Sequence, residues 1–108
     1  MISTLEKLVG TPRDGALLRY SLGLEYAKAG RREDAVAQLR EAVVRDPLYS
    51  AAWKALGKEL EKANLHAEAL QAFTEGIQAA SRKGDRQAEK EMTVFARRLE
   101  KKLTPGTG

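Results

Sequence analysis

Cysteine is absent from this chain of 108 residues, which excludes disulfide bonds, thiolate metal sites and thiol nucleophiles. Long hydrophobic runs are absent too, since nothing in the sequence approaches the roughly 20 apolar residues of a membrane-spanning helix. The first ten residues lack both the basic leader and the long apolar region of a secretory signal. We therefore expect a cytoplasmic protein.

Proline and aromatic residues are scarce, with three prolines and an aromatic content of 6%. Alanine, leucine, glutamate, lysine, arginine and glutamine are abundant instead, and all of them favour helices. A content of 43% apolar and 31% charged residues is ordinary for a globular protein. The composition and length predict an all-α fold in a single domain spanning residues 1–108.

The surplus of positive charge, which amounts to a formal net charge of +4, lies at the carboxy-terminal end. Residues 1–81 hold eleven basic and eleven acidic side chains, whereas residues 82–102 hold eight basic and four acidic ones. A basic end attracts acidic partners, nucleic acid or anionic lipid. It is equally compatible with a solvated helix face, so composition leaves both interpretations open.

Three candidate N-cap residues predict where helices begin. Ser3 and Glu6 have the spacing of a capping box, which predicts a short helix within residues 1–10. Asp14 is a candidate N-cap for the following helix, and Ser50 is a candidate N-cap for a later one.

Glycine, asparagine and proline predict where the helices end. Gly30 and Asn64 lie 34 residues apart, and both residue types tolerate the left-handed backbone of a helix end. Pro47 stops a helix because proline has no amide hydrogen and displaces the preceding residue from the helical region. Gly84 separates the last two helices. The predicted division is a short helix in 1–10, hairpins in 16–49 and 50–83, a final helix in 84–103 and a flexible tail in 104–108.

The sequence repeats at a spacing of 34 residues. This period is typical of a helix-turn-helix unit that buries its apolar face only by stacking on a neighbour. The stack presents an extended concave surface, which suits a binding scaffold. The aligned pairs are Leu22 with Leu56, Gly23 with Gly57, Ala35 with Ala69, and Leu39 with Phe73.

Each unit carries an ordered motif, Arg19-x2-Leu22-Gly23-x2-Tyr26, Ala35, Leu39, Ala42 and Pro47 in the first, and Trp53-x2-Leu56-Gly57-x2-Leu60, Ala69, Phe73 and Gly76 in the second. The motif resembles the tetratricopeptide repeat, as found in small stand-alone bacterial proteins of two repeats and a charged final helix. The resemblance implies a right-handed α-α superhelix of two hairpins between a short amino-terminal helix and a carboxy-terminal capping helix. The chain departs from the family at Arg19, where a large aromatic residue is preferred, and at Ser81, which replaces the proline equivalent to Pro47.

In this family the first helix of each unit lines a concave groove, and here the resemblance implies one apolar wall and one mostly basic wall. We expect the groove to hold an extended or helical peptide, with Tyr20 and Leu24 as apolar contacts and the basic wall meeting carboxylates. The alternative is that these are ordinary exposed surface residues. The expected groove residues are Leu17, Tyr20, Leu24, Lys28, Lys54, Lys58 and Glu61.

Sequence signals for catalysis are weak. His66 is the single histidine, and the pattern that it forms with Glu68 belongs to a zinc chemistry that needs the missing cysteines. No glycine-rich loop with the lysine and hydroxyl of a phosphate site is present. We therefore expect a non-catalytic protein with no cofactor and no metal site.

Two further functions remain open beside peptide binding. The final helix carries a basic stripe opposite its apolar one, which suits nucleic acid or an anionic surface, although Phe95 lies on the apolar stripe and is unsuited to base stacking. A short stack of this kind also self-associates through its ends, so a homo-oligomer is the other alternative. For the main hypothesis we expect a protein or peptide partner, and the lysines favour an acidic one. The basic stripe consists of Arg86, Lys90, Arg97 and Lys101.

Overall fold

The computed structural model describes residues 1–104, which form six α-helices and no strand. This confirms the all-α prediction. The predicted flexible tail at 104–108 lies, apart from Thr104, outside the described residues. The helices are α1 (Ile2–Glu6), α2 (Ala16–Lys28), α3 (Arg32–Arg45), α4 (Ser50–Lys62), α5 (His66–Lys83) and α6 (Arg86–Leu103).

The helices form two hairpins that stack in two layers. Helix α2 packs along α3, and α4 packs along α5. The hairpins meet where α3 packs on α4, and α6 packs on α5 over a more extensive contact. Because α2 contacts α4 and α4 contacts α6, these three helices form one layer, which we call the inner layer, while α3 and α5 form the other.

Glycine allows the two helices of each hairpin to approach closely. A Cβ atom on Gly23 would lie 2.6 Å from Cγ of Leu39, and one on Gly57 would lie 2.5 Å from Cε1 of Phe73. Both distances are far below van der Waals contact, so a side chain at either glycine would displace Leu39 or Phe73 or push the helices apart. The repeated glycine is therefore a packing residue.

Trp53 supports the predicted alignment of the second unit. Its ring is half-buried against the main core, and its Nε1 donates a hydrogen bond to the carbonyl of Pro47 at 2.8 Å. A Cβ atom on Gly76 would lie only 2.8 Å from Cβ of Trp53. The Trp53 side chain therefore joins α4 to the preceding turn through its indole and to α5 through its Cβ.

The predicted helix ends are confirmed. Gly30, Asn64 and Gly84 adopt the left-handed backbone, with φ of 76°, 63° and 73°. Asp46, which precedes the proline, is extended and closes α3. These ends were predictable because the conformation that stops a helix depends on the local residue type.

Two of the predicted helix starts are wrong in detail. Helix α1 begins at Ile2, so Ser3 lies inside the helix and forms no capping box. Glu6 instead accepts a hydrogen bond from the hydroxyl of Tyr26 on α2, which raises the pKa of that tyrosine. Ser50 is the first buried residue of α4 rather than its N-cap. The side chains expected to cap helices are thus engaged elsewhere or buried.

The third predicted cap, Asp14, holds a network together instead. Its carboxylate accepts hydrogen bonds from the amide of Gly10 and from two nitrogens of Arg19, each at 2.9 Å. Arg45 of α3 lies 3.5 Å away, and Arg19 also donates to Gln38 at 3.1 Å. The hydrogen bonds from Arg19 and Gly10 hold the pKa of Asp14 far below its ordinary value. The arginine that departs from the family pattern therefore ties α2 to the preceding turn and to α3.

Helices at both ends complete the stack. At the amino-terminal end, Leu5 and Leu8 pack on Leu18 and Leu22, as expected for a short helix that closes this end. At the other end, the apolar stripe of α6 is buried in the main core. Its fully or almost fully buried residues are Met92, Ala96 and Leu99.

Helix α5 is longer than α3, with 18 residues against 14, because Ser81 does not stop it as Pro47 stops α3. The extra length shifts α6 relative to the 34-residue repeat. Leu22 and Leu56 are both buried, and the next buried residue on this side is Met92, which lies 36 residues after Leu56. With this two-residue shift, α6 occupies the position of the first helix of a third unit.

Candidate functional site

The inner layer contains all seven residues that were expected to line a groove. On α2, Leu17 is 69% exposed, Tyr20 and Leu24 are half-buried, and Lys28 is exposed. On α4, which contacts α2, Lys58 is exposed, whereas Lys54 and Glu61 are half-buried.

Tyr20 contributes to the fold as well as to this surface. Its ring packs on the ring of Tyr49 with centroids 5.0 Å apart and planes inclined by 43°. Both rings border the main core, and burial raises the pKa of Tyr49 above its usual value. Only part of the Tyr20 ring is therefore available to a partner.

Lys54 already has an acidic neighbour. Its Nζ lies 3.1 Å from Oε1 of Glu91 on α6, so a carboxylate of a partner would compete with Glu91. Lys28 is similarly paired with Glu25 on its own helix, at 3.3 Å. The basic wall of the inner layer is weaker than its composition suggested.

Lys58 is the inner-layer lysine of α4 that forms no ion pair within residues 1–104. Its Nζ lies 5.2 Å from the ring centroid of Phe95, and Arg98 lies 5.4 Å from the same centroid. The ring in turn packs on Phe73, at 5.3 Å. Because cations are attracted to the face of an aromatic ring, Phe95 places two positive charges where α4 meets α6.

Helix α6 supplies a third wall of the inner layer that the sequence reasoning missed. Glu91 and Phe95 reach Lys54 and Lys58, and a small concavity lies between α4 and α6. The sequence does contain an indication of this third wall, which is the 36-residue spacing between the buried residues Leu56 and Met92. It was hidden because a strict 34-residue register places polar residues where α6 needs apolar ones.

Most basic residues before residue 82 form ion pairs within residues 1–104, whereas those from residue 82 onward do not. None of the eight between residues 82 and 102 has an acidic partner within 4.0 Å in the described part of the chain. Three of them, Arg86, Lys90 and Arg97, surround a concavity of about 750 Å³ on the outer side of α6. By contrast, eight of the eleven upstream basic residues are paired. These are Arg19, Lys28, Arg31, Arg32, Arg40, Arg45, Lys54 and Lys62.

His66 is the first residue of α5. Its ring is half-buried, and its Nδ1 is buried without a hydrogen-bond partner in residues 1–104. His66 therefore lies at the start of a helix with only part of its side chain at the surface.

The geometry defines a class of protein, a short solenoid of stacked helical hairpins with a capping helix at each end. The sequence profile of the tetratricopeptide repeat matches residues 16–59. TPR repeat-containing protein PA0015 of Pseudomonas aeruginosa is 48% identical over 104 residues, which cover 96% of this chain and 99% of that protein. The chain therefore belongs to the tetratricopeptide repeat family.

Solved structures share the fold. The solution structure of protein BPP2914 from Bordetella parapertussis has a TM-score of 0.78 and 41% identity, and covers 94% of this chain and 89% of that one. A tetratricopeptide repeat domain protein from Salinibacter ruber also has a TM-score of 0.78, with 27% identity over 90% of this chain and 96% of that one. Within residues 1–104, no helix has both the length and the apolar character needed to cross a bilayer. Repeats of this family serve in general as scaffolds for interaction between proteins.

Proposed function

We propose that this chain is a non-catalytic adaptor that binds a peptide or helix of a partner protein across its inner layer. The observation that carries the proposal is the side chain of Leu17, which is 69% exposed beside the half-buried Tyr20 and Leu24 on α2. An exposed leucine next to an aromatic ring supplies apolar contact area for a partner. The cytoplasm remains the predicted compartment.

The charges of the opposite wall favour an acidic partner. Lys58 is exposed and forms no ion pair within the described residues. Its Nζ and the guanidinium of Arg98 both contact the ring of Phe95. A carboxylate that meets Lys58 need not displace a protein carboxylate, whereas one that meets Lys54 competes with Glu91. We therefore assign the main electrostatic contact to Lys58 and a smaller one to Lys54.

We also propose that residues 1–103 act as a single domain with the predicted hairpins at 16–49 and 50–83. One core cluster extends from α3 through α4 and α5 to α6. Helix α2 packs on α3, and α1 packs on α2. Each hairpin therefore depends on a neighbour for burial of its apolar surface.

The test uses a partner peptide selected by display against the wild-type chain. Leu17→Asp should weaken binding at least about tenfold, since it places a charge in the apolar wall. The matched control is Val44→Asp, because Val44 is 72% exposed but lies on α3, in the other layer. Binding is measured by fluorescence anisotropy.

A similar loss of affinity in both variants, or in neither, would refute the proposed site. Lys58→Glu should also weaken an acidic peptide, and Arg13→Glu, at an exposed arginine outside the inner layer, should not. Circular dichroism of each variant confirms that the helices are retained.

A further inference from the structure

Helix α6 has a side that no other helix of residues 1–104 covers, and this side corresponds to the side of α4 covered by α5. On α4 this side contains Gly57, which allows the close approach of Phe73, and Trp53, which lies against Gly76. With the two-residue shift of α6, the equivalent positions are Thr93 and Glu89. Both line the concavity of about 750 Å³. The concavity is thus the place where the second helix of a third hairpin would pack.

The chemistry of this concavity is that of a receptor for negative charge. Arg86, Lys90 and Arg97 contribute three cations, and Glu89 contributes one carboxylate. The three cations are exposed, and none has an acidic partner within 4.0 Å in residues 1–104. An incoming carboxylate therefore gains a charge-assisted hydrogen bond without breaking an existing ion pair.

The arrangement of the charges suits a helix. Arg86, Lys90, Val94, Arg97 and Lys101 follow one another at spacings of three or four residues and form one stripe, about 22 Å long at 1.5 Å per residue. Val94, in the middle of the stripe, is 60% exposed and offers an apolar contact. A helix that lies beside α6 can present acidic and apolar side chains at the same spacing.

We propose that the outer side of α6, which we call the end face and define by Arg86, Glu89, Lys90, Thr93, Val94 and Arg97, docks an acidic amphipathic helix of a partner protein. The docked helix takes the place that the second helix of a third hairpin would occupy. Thr93 replaces the glycine that permits close approach in the second unit, so the partner needs a small residue opposite it. This surface is distinct from the inner-layer site and does not depend on it.

Other occupants fit the end face less well. A second copy joined by a two-fold axis would bring the cluster of Arg86, Lys90 and Arg97 against the same basic cluster of the other copy, which costs free energy. Nucleic acid would gain from the cations but would find no aromatic ring for base stacking on the end face, because Phe95 packs on Phe73. The test distinguishes both of these occupants from an acidic helix.

The test titrates a synthetic helical peptide against the full chain by fluorescence anisotropy. The peptide has about 18 residues, glutamates spaced to match the stripe, leucine opposite Val94 and alanine opposite Thr93. We expect binding that weakens at least about tenfold between about 50 and 300 mM NaCl. The double variant Lys90→Glu with Arg97→Glu should weaken it at least about tenfold at low salt.

The controls separate site-specific docking from general attraction. Lys7→Glu with Arg13→Glu makes the same change in net charge at the amino-terminal end and should have little effect. A scrambled peptide of identical composition should bind at least about fivefold more weakly, since its charges no longer share one helix face. Leu17→Asp should leave the affinity unchanged, which distinguishes failure here from failure of the inner-layer site.

Three results would overturn the proposal. The first is equal weakening by the amino-terminal and α6 charge reversals, and the second is equal binding of the scrambled peptide. The third is the binding of a different occupant to the end face through Lys90 and Arg97. Tighter binding of a single-stranded oligonucleotide or of phosphatidylglycerol vesicles than of the peptide would show such an occupant, and so would a dimer in sedimentation equilibrium.

Discussion

Asp14 shows how one side chain can join three segments of the chain. Its carboxylate is only 6% exposed and is surrounded by the Gly10 amide and by Arg19 and Arg45. Removing an acceptor from such a network leaves the partly buried Arg19 without its partner, which is more costly than losing an exposed ion pair. Asp14 is therefore expected to matter for stability although it lies in a turn.

Asp14→Asn should lower the free energy of unfolding at neutral pH, and the deficit should shrink as the pH falls. The pKa of Asp14 in the folded chain lies below its ordinary value of 3.8, because the hydrogen bonds from Arg19 and Gly10 favour the charged form. The stability that it contributes is complete above about pH 4 and is lost as the pH falls through the folded pKa. Urea unfolding at several pH values measures the difference between variant and wild type.

The control for this variant is Asp34→Asn, which removes an ion pair with Arg31 whose two side chains are each 51% exposed. Exposed pairs contribute little, so this variant should be the less destabilised of the two. A deficit of Asp14→Asn that stays constant down to the lowest pH would contradict the role assigned to the carboxylate.

Residue pairs of this kind were beyond sequence reasoning. Lys54 and Glu91 lie 37 residues apart, and Arg19 and Gln38 lie 19 apart, so only the packing of the helices brings them together. The sequence correctly placed Lys54 on α4 and in the inner layer. It did not reveal that α6 already supplies a carboxylate to this lysine.

At the scale of elements, helix ends were predicted well and helix starts poorly. Gly30, Pro47 and Asn64 stop helices through their own backbone chemistry, which acts locally. A capping side chain, by contrast, can form hydrogen bonds elsewhere, as Asp14 does with Arg19. The position of α6 was missed for a third reason, since it depends on how far α5 continues past Ser81.

Met92→Ala tests whether α6 is an integral part of the core. Met92 is fully buried, and a Cβ atom on Gly76 would lie 2.4 Å from its sulfur, so the side chain fills the space that this glycine leaves. Removing it should cost about 2–5 kcal/mol of unfolding free energy through lost burial and a cavity. Val94→Ala, on the exposed side of the same helix, should change stability by less than about 0.5 kcal/mol.

Chemical denaturation followed by circular dichroism measures both variants. Equal stability of Met92→Ala and wild type would mean that α6 is only loosely attached and that its 36-residue offset has no structural meaning.

At the scale of the whole molecule, the chain is an elongated stack of 51 by 31 by 18 Å with charge divided along its length. Cations of the first four helices are mostly paired within the fold, whereas those from residue 82 onward have no acidic partner in residues 1–104. Ion pairs upstream contribute to structure, and unpaired cations downstream remain available for binding. The general architecture and the carboxy-terminal surplus of positive charge could be predicted from the sequence. Which cations are paired could not, because pairs such as Lys54 with Glu91 depend on contacts between helices.

The central claim is that α2, α4 and α6 together form the surface that takes a protein partner. Its most direct test is the mapping of amide chemical shifts in the ¹⁵N-labelled chain as the selected partner peptide is added. We expect the largest shifts at inner-layer residues, led by Leu17, Tyr20 and Lys58, with the other layer almost unchanged. Shifts concentrated on α3 and α5 would contradict the claim.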